Sequence, residues 1–341
     1  MPEYNVAVVG ATGAVGQEIL KVLAERRFPV KNLKLLATSR SAGKQMVFRG
    51  ETHTVEETRP ESFAGMDFAL FAGGAASKEF GPGVAARGCV VIDNSSHFRL
   101  DPQVPLVVPE VNPEDVKWHR GIIANPNCST IIMVVPLKPV KDAAGIRRVV
   151  VSTYQAVSGA GKEAIDELAD QTRTVLNGGE YTPKVFPYQI AFNLIPHIDV
   201  FQEMDYTKEE WKMVKETRKI LHDENMAITA TTVRVPVYRS HSESINIETE
   251  KKLTAAGVKE LLARFPGVVV MDEPAAKKYP MPLYCSDRDE VFVGRIREDN
   301  SVDCGLNLWV VADQLRKGAA TNAVQIAGLV VQYGCLPGGG R

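Results

Sequence analysis

The chain has 341 residues, 45% of them hydrophobic and 24% charged, which is long enough for two domains with separate cores. The formal net charge of -1 argues against a nucleic-acid partner. No apolar run approaches the roughly 18 residues that cross a bilayer, and the start Met1–Tyr4 lacks the basic residues of a signal peptide. These features predict a cytoplasmic protein. The five cysteines are an odd number and show no Cys-x-x-Cys spacing, which argues against a disulfide framework and a metal site. Any cysteine chemistry is therefore expected to be that of one free thiol.

Strands and helices are predicted to alternate over the first 124 residues. The apolar run 5–9 precedes Val15, Ile19, Val22 and Leu23, which have helical spacing. Further apolar runs predict strands at residues 33–37, 68–72, 90–92, 106–108 and 122–124, with helical patterns such as 75–87 between several of them. Continuous runs indicate strands buried on both faces, so a doubly wound parallel α/β sheet of Rossmann type is expected.

A glycine-rich turn lies between the first strand and the first helix. Its residues are Gly10, Ala11, Thr12, Gly13, Ala14, Val15 and Gly16. Glycines here permit a tight bend and a close approach of the backbone to a pyrophosphate at the helix N-terminus. The spacing differs from the commoner Gly-x-Gly-x-x-Gly, so a purely structural turn is the alternative, but the position between strand and helix favours dinucleotide binding.

The second strand is followed by Ser39 and Arg40, where an NAD site usually presents an acidic residue to the ribose. A guanidinium and a hydroxyl suit the 2′-phosphate of NADP instead. The alternative is a solvated arginine in a loop.

Asn125-Pro126-Asn127-Cys128 follows the strand at 122–124 and opens another apolar run. This places Cys128 where a helix is expected to begin. Unpaired backbone N–H groups and the helix dipole favour a thiolate there, and a thiolate attacks carbonyl carbons. A small buried hydrophobic residue is the alternative.

Longer strands and connections are predicted beyond Cys128. Residues 147–157 form a β-branched strand that brings Gln155 and Ser158 to its end, beside a glycine loop that begins at Gly159. This loop is a second candidate contact for a phosphate or nicotinamide, or a plain turn. Residues 178–205 read as a long connection.

A helix is predicted from Thr207 to about Leu221. Thr207 and Glu210 have the spacing of a capping box, which gives Glu210 a structural role. Glu209 and Lys212 are three residues apart, so their side chains are neighbours on the surface of the helix. They are either functional or simply solvated.

Arg234 is predicted to lie on a strand over 227–237, and His241 in the turn that follows. Together they are candidates for a carboxylate clamp and a base. His97 also follows a sheet strand, and the residues alone do not rank it below His241.

Residues 291–296 and 302–312 form a hairpin-like pair, and 319–333 an apolar helix that is expected to return to the first domain. Such a return would carry Gln314 towards the cofactor. We therefore expect an NADP-binding domain from 1–127 plus about 314–341, and a catalytic and dimerisation domain over 128–313.

Five motifs in this order resemble aspartate-semialdehyde dehydrogenase over nearly the whole length. They are Gly-Ala-Thr-Gly-Ala-Val-Gly at 10–16, Ser-Ser-His-Phe-Arg at 95–99, Asn-Pro-Asn-Cys at 125–128, Glu-Glu-Trp-Lys at 209–212, and Arg234 seven residues before His241. The resemblance favours His241 over His97 and Glu209 over Glu210.

The resemblance implies a role for each matched residue. Cys128 would be the nucleophile, Gln155 would orient substrate and thioester, and His241 would be the general acid/base. The implied substrate ligands are Arg99 and Lys212 for the phosphate, Arg234 and Glu209 for the aspartyl carboxylate and amino group, and Asn127. The implied NADP contacts are residues 10–16, Ser39, Arg40, Ser158, Gly159 and Gln314.

The resemblance also implies a second domain with a mixed sheet that mediates dimerisation, as a homodimer or a dimer of dimers. The expected reaction reduces L-aspartyl 4-phosphate with NADPH through a Cys128 thioester, in the biosynthesis of lysine and diaminopimelate, threonine, methionine and isoleucine. Two rivals stay open: N-acetyl-glutamyl-phosphate reductase, which would not need Glu209, and a dinucleotide-sensing binding protein with an inert thiol.

Overall fold

A computed structural model describes residues 2–337 and divides the chain into two compact units. The first unit contains the chain up to Asn127 together with the chain from Ala319 onward, and the second runs from Cys128 to Gly318. Within the described residues, no helix combines the length and apolar character that a membrane crossing requires.

The sheet of the first unit is doubly wound, as the continuous apolar runs predict. Its strands are β1 (Tyr4–Val9), β2 (Val30–Ala37), β3 (Gln45–Phe48), β4 (Glu51–Glu57), β5 (Phe68–Phe71), β6 (Val90–Asp93) and β7 (Ile122–Ala124). The order β3-β4-β2-β1-β5-β6-β7 is parallel except for the antiparallel edge strand β3. The strand order reverses at β1, between β2 and β5, so the glycine turn lies at the switch point where such folds bind ligands.

Helices α1 (Ala14–Glu25) and α2 (Ala75–Ala85) begin where the sequence pattern predicts them. The hairpin β3–β4 was not predicted, because residues 45–57 are mostly exposed and polar and their one apolar run, 46–48, is short. The strand predicted at residues 106–108 is wrong in extent: the structure has one isolated bridge there, between Leu106 and Ala124.

The second unit is built around a mixed sheet, as the resemblance implies. Its strands are β8 (Ile146–Gln155), β9 (Ala227–Arg234), β10 (His241–Thr249), β11 (Val268–Val270), β12 (Val291–Asp299) and β13 (Gly305–Ala312). The order is β11-β12-β13-β10-β8-β9, in which β10 runs antiparallel to both of its neighbours. Strands β12 and β13 form the predicted antiparallel pair.

The helices of the second unit are α3 (Cys128–Ala144), α4 (Lys162–Leu176), α5 (Lys208–Ile220), α6 (Ala255–Ala263) and α7 (Pro282–Cys285). Helix α3 is buried along most of its length and contacts β8, β10, β12 and β13. The capping box of α5 is confirmed: Thr207 accepts a hydrogen bond from the Glu210 N–H, and Glu210 accepts one from the Thr207 N–H. Helices α6 and α7 and strand β11 were not predicted.

The predicted C-terminal helix is α8 (Thr321–Gln332), which belongs to the first unit. Its Ala323, Ile326 and Val330 share a buried core with Ile19 and Leu23 of α1. This packing explains the apolar pattern of 319–333, since nearly every residue on the inner face of the helix is buried.

Candidate active site

Cys128 is the first residue of α3 and is half-buried. The structure confirms the predicted local arrangement, in which a strand, a short Asn-Pro-Asn turn and a helix N-terminus follow one another. Gly318 lies against this cysteine: a Cβ on Gly318 would come within 2.9 Å of the Cys128 Cβ. A glycine is therefore required at position 318 if the Cys128 side chain is to keep its place.

Gln155 and His241 lie at adjoining ends of two paired strands, β8 and β10. His241 is the first residue of β10 and not, as predicted, part of the preceding turn. The Nε2 atoms of the two side chains are 3.5 Å apart. The backbone N–H of Ala156 donates to Nδ1 of His241 at 3.0 Å. Because a backbone N–H only donates, Nδ1 must be unprotonated, and the proton of the neutral imidazole lies on Nε2.

The electrostatic surroundings keep this imidazole neutral. His241 is fully buried, and this burial, together with the positive charge of Arg234, lowers the pKa of His241 to about 3. The carboxylate of Glu209 acts in the opposite direction but does not offset these two effects. At neutral pH, His241 therefore presents an uncharged Nε2–H donor.

Glu209 links Gln155 to Lys212. Its Oε1 accepts a hydrogen bond from the Gln155 amide at 3.2 Å, and its Oε2 lies 3.0 Å from Nζ of Lys212. The Gln155 Oε1 in turn accepts from the Thr153 hydroxyl at 3.0 Å, so the amide orientation is determined at both ends. Asp199 contacts Lys212 at 2.9 Å. Burial alone would lower the pKa of Lys212, but Glu209 and Asp199 outweigh it, and the pKa is raised.

Arg234 ends strand β9 on its buried face, together with Thr232, while Val233 points to the other face. Its backbone pairs with Ile195 in both directions, and its Nη1 donates to the Ala156 carbonyl at 2.7 Å. Burial lowers the pKa of the guanidinium, whereas the nearby Glu209 and Cys128 raise it. Arg234 is therefore a buried cation that interacts electrostatically with both the cysteine and the glutamate.

The loop after β8, predicted as a second contact for the cofactor, also lies within this unit. Ser158 and Gln314 are buried and joined by a hydrogen bond from the Gln314 amide to the Ser158 hydroxyl, and Gln314 also accepts from the Ser240 N–H at 2.8 Å. Gly159 lies close to Arg234 and His241. A Cβ added at Gly159 would come within 3.0 Å of Nη1 of Arg234 and 3.3 Å of the His241 ring. Any larger residue at 159 would press on both side chains.

In the first unit, the glycine turn fits a dinucleotide phosphate. Gly10 has a positive φ of 80°, and a Cβ on Gly16 would overlap the Gly10 carbonyl oxygen, so the turn closes only with glycine at position 16. Among residues 2–337, no side chain caps α1, so the N–H groups at the start of this helix are available to a ligand. Thr12 donates to Ser41 at 3.3 Å, which ties the turn to the loop that carries Ser39 and Arg40, both exposed.

Arg99 and Asn127 are buried in the first unit. Arg99 donates from Nε to the Asn125 carbonyl at 3.0 Å and from Nη2 to the Asn94 carbonyl at 2.8 Å. His97 lies beside them in an exposed turn, where its ring packs edge-on against Phe98. Its exposure contrasts with the complete burial of His241.

Several residues of these clusters were not singled out from the sequence. Thr153 and Asp199 support Gln155 and Lys212, and Gly318 adjoins Cys128. Asp199 has a positive φ of 68° in the long connection, and no periodicity marks it. Only the alternation along β8, which puts Thr153 on the same face as Gln155, could have indicated one of them.

Comparisons with known proteins identify the family of the chain. Residues 5–119 match the family model "Semialdehyde dehydrogenase, NAD binding domain", and residues 137–317 match "Semialdehyde dehydrogenase, dimerisation domain". The chain is 60% identical to an aspartate-semialdehyde dehydrogenase of Aquifex aeolicus over 98% of this chain and 99% of the relative. It is 52% identical to one of Bacillus subtilis, over 95% and 96%.

Solved structures give the same result. Aspartate semialdehyde dehydrogenase II of Vibrio cholerae superposes with a TM-score of 0.95 at 51% identity, over 97% of this chain and 99% of that one. The same enzyme in complex with ASA is 50% identical, with the same TM-score and coverage. An aspartate semialdehyde dehydrogenase with NADP from Candida albicans, 26% identical with a TM-score of 0.76, covers 97% and 99%. The chain thus carries an NAD(P)-binding domain and a dimerisation domain, and it belongs to the aspartate-semialdehyde dehydrogenase family.

Proposed function

We propose that the chain is an NADP-dependent aspartate-semialdehyde dehydrogenase. It converts L-aspartyl 4-phosphate to L-aspartate 4-semialdehyde and phosphate, reversibly, in the biosynthesis of lysine and diaminopimelate, threonine, methionine and isoleucine. The observation that carries the proposal is a buried, hydrogen-bonded set of side chains in the unit whose helix α3 begins at Cys128: Gln155, Glu209, Arg234 and His241. A reactive sulfur, a carboxylate-binding cation and an ammonium-binding anion are the groups that an aspartyl acyl donor requires.

In the biosynthetic direction, the Cys128 thiolate attacks the acyl carbon of the substrate. A carbon–sulfur bond forms, the bond to the phosphate oxygen breaks, and a thioester and inorganic phosphate result. A bound reduced nicotinamide cofactor would supply the hydride that reduces this thioester. The resulting thiohemiacetal then collapses to the aldehyde as the thiolate of Cys128 leaves. Sulfur suits both steps because it is a strong nucleophile and a good leaving group.

Both tetrahedral species carry an oxyanion, and two donors are proposed to bind it. The Nε2–H of His241 and the amide of Gln155 converge at 3.5 Å. Because the Ala156 N–H occupies Nδ1, the proton that His241 can donate is the one on Nε2. A neutral, buried donor of fixed orientation stabilises developing charge at little reorganisation cost. We propose that the neutral His241 donates this hydrogen bond from Nε2. As the general acid/base, it would exchange a proton only when Nδ1 gives up its hydrogen bond to Ala156, because Nε2 of the neutral ring has no free lone pair.

The remaining polar groups are proposed to recognise the aspartyl moiety. Arg234 presents two parallel donors to the carboxylate, and Glu209 accepts from the amino group. Lys212 is proposed for the phosphate, with Arg99 and Asn127 as further substrate ligands. A substrate whose amine is acylated has no ammonium group for Glu209, which disfavours N-acetyl-glutamyl phosphate.

The cofactor is proposed to be NADP. The glycine turn at 10–16 would hold the pyrophosphate at the start of α1, and Ser39 and Arg40 would bind the 2′-phosphate. Ser158, Gly159 and Gln314 are proposed as further cofactor contacts. We also propose a cytoplasmic homodimer, or a pair of such dimers.

A single assay tests the proposal: the purified protein is given L-aspartate 4-semialdehyde, NADP and phosphate, and the appearance of NADPH is followed. We expect phosphate-dependent reduction of NADP with this aldehyde and almost none with N-acetyl-glutamate semialdehyde. Turnover with only the acetylated substrate would overturn the substrate assignment. A lack of turnover with either, together with tight NADP binding, would favour a dinucleotide-binding protein.

A further inference from the structure

Asn125 directly follows strand β7 and lies three residues before Cys128, and its side chain is almost completely buried. Both ends of its amide are bound by other asparagines. Its Nδ2 donates to Oδ1 of Asn94 at 2.8 Å, and its Oδ1 accepts from Nδ2 of Asn322 at 2.7 Å. Since a donor and an acceptor are matched at opposite ends, the amide has one allowed orientation.

The backbone around Asn125 is held as well. Its N–H donates to the Asp93 carbonyl at 2.8 Å, and its carbonyl accepts from Nε of Arg99 at 3.0 Å. The next residue, Pro126, has a fixed φ and no N–H of its own. The direction in which the chain approaches Cys128 is therefore determined largely at Asn125.

Asn322 comes from a distant part of the sequence, the first turn of α8. It is fully buried, and its Nδ2 donates both to Asn125 and to the Val107 carbonyl at 2.9 Å. Two acceptors face this nitrogen, so an aspartate at 322 would place an oxygen against two oxygens. Alanine would leave both acceptors without these hydrogen bonds in a buried site.

We infer that Asn322 is a positioning residue for the nucleophile: it fixes the Asn125 side chain and, through it, the turn that places Cys128 at the start of α3. The inference rests on the proposed function, because it assumes that Cys128 is the reactive thiol. Asn322 touches no substrate in this role. It acts through Asn125 and the two residues that follow.

Asn112 offers a matched control for the experiment. It is also a buried asparagine of the first unit, and its amide donates to the Leu106 carbonyl at 2.8 Å and accepts from the Val108 N–H at 2.8 Å. It thus binds the same segment of chain as Asn322. The side-chain hydrogen bonds of Asn112 go to Leu106, Val108 and Asp115.

The experiment measures the rate of Cys128 alkylation by iodoacetamide as a function of pH, by peptide mass mapping, in the full-length protein and in Asn322→Ala and Asn112→Ala. We expect Asn322→Ala to lower the rate constant on the order of tenfold and to move the midpoint of the pH profile upward. The value of kcat should fall with it, while KM changes little. Asn112→Ala should lower Tm comparably and leave the alkylation profile unchanged.

If Asn322→Ala does not fold, Asn322→Ser, which keeps one donor, should give an intermediate loss of alkylation rate. Wild-type alkylation rates and pH midpoint in the folded variant would overturn the inference and leave the proposed function standing. An unreactive Cys128 in the wild-type protein would instead overturn the proposed function, and the inference with it.

Discussion

The proposed cofactor site of the first unit and the proposed catalytic cluster of the second unit present their binding groups in opposite ways. In the first, the cofactor turn is made of backbone, and the side chain proposed to select the cofactor, Arg40, is exposed. In the second, Gln155, Arg234 and His241 are buried and held by hydrogen bonds to Glu209 of helix α5 and to the backbone of Ala156, just after β8. A backbone site depends on a few consecutive residues, whereas a buried cluster depends on the whole packing of its domain. Substitutions should therefore act locally in the first unit and cooperatively in the second.

The largest effect is expected at the sulfur of the second unit. Cys128→Ala removes the nucleophile and should lower kcat at least about 10⁴-fold, with dinucleotide binding retained. Steady-state turnover and cofactor titration measure the two properties. Cys304→Ala, at another half-buried cysteine of the same unit, should keep wild-type turnover. Comparable losses in both variants would contradict the assignment.

Arg234→Lys tests whether the buried cluster needs the paired hydrogen-bond donors of Arg234 or only its positive charge. Lysine keeps the charge but loses the paired donors and the hydrogen bond to Ala156, so kcat/KM for the semialdehyde should fall about 10²- to 10³-fold. Arg218→Lys is the control, since Arg218 also donates to a backbone carbonyl, that of Met226, outside the cluster. Full activity in Arg234→Lys would show that charge alone suffices.

Gly16→Ala breaks the backbone site of the first unit. The new Cβ would overlap the Gly10 carbonyl oxygen, and the resulting strain should lower the free energy of unfolding by about 3 kcal/mol. A Cβ on Gly13 would make only an ordinary contact, at 3.4 Å, so Gly13→Ala should cost less than about 1 kcal/mol. Chemical denaturation compares the two, and equal losses would refute the packing argument.

Arg40→Ala tests whether the exposed cation selects the cofactor. Loss of a charged hydrogen-bond donor to the 2′-phosphate should raise the Kd for NADPH about 10- to 100-fold, with little change for NADH. Fluorescence titration with both cofactors gives the ratio. Lys31→Ala, at an exposed cation at the other end of β2, controls for general electrostatics. Equal weakening of NADPH and NADH binding would argue against a 2′-phosphate site.

The smallest effect concerns stability. Glu243 lies on β10 two residues after His241, fully buried, and within the described chain its carboxyl oxygens have no hydrogen-bond partner. Burial raises the pKa of this carboxyl well above its usual value. In the unfolded state this carboxyl has a pKa of about 4.3 and loses its proton above that pH, whereas in the folded state it keeps the proton. The free energy of unfolding therefore falls as the pH rises from about 4.3 to the pKa of Glu243 in the folded state.

Glu243→Gln removes this penalty. The variant should gain stability over the wild type as pH rises from about 5, by at most about 1.4 kcal/mol per pH unit. Denaturation at several pH values measures the difference. Glu248→Gln, at a partly exposed position of the same strand, should show no such trend. A difference between wild type and Glu243→Gln that does not depend on pH would contradict the assignment.

The features that the sequence predicted correctly are local ones. Helical patterns located α1, α2 and α8, and the capping box at Thr207 marks the start of α5 as predicted. The glycine turn, and Cys128 at the first position of a helix, needed only neighbouring residues. The hairpin β3–β4 escaped because an exposed edge strand needs no apolar face.

What escaped prediction depends on tertiary packing. Burial separates His241 from the exposed His97, and residues alone could not rank them. The partners of the cluster, such as Thr153 on β8 and Asp199 in the long connection, have no motif of their own. The contact of Gly318 with Cys128 joins two ends of the second unit that lie far apart in sequence. Such contacts follow from the sheet order, which the sequence pattern did not provide.

The central claim, that Cys128 carries the acyl group, is tested most directly in the oxidative direction without phosphate. The protein is mixed with L-aspartate 4-semialdehyde and NADP, quenched in acid, and mapped by mass spectrometry. The account predicts a burst of NADPH and an aspartyl thioester on the peptide that contains Cys128, which disappears when phosphate is added. An acyl adduct at another residue, or turnover without any adduct, would contradict it.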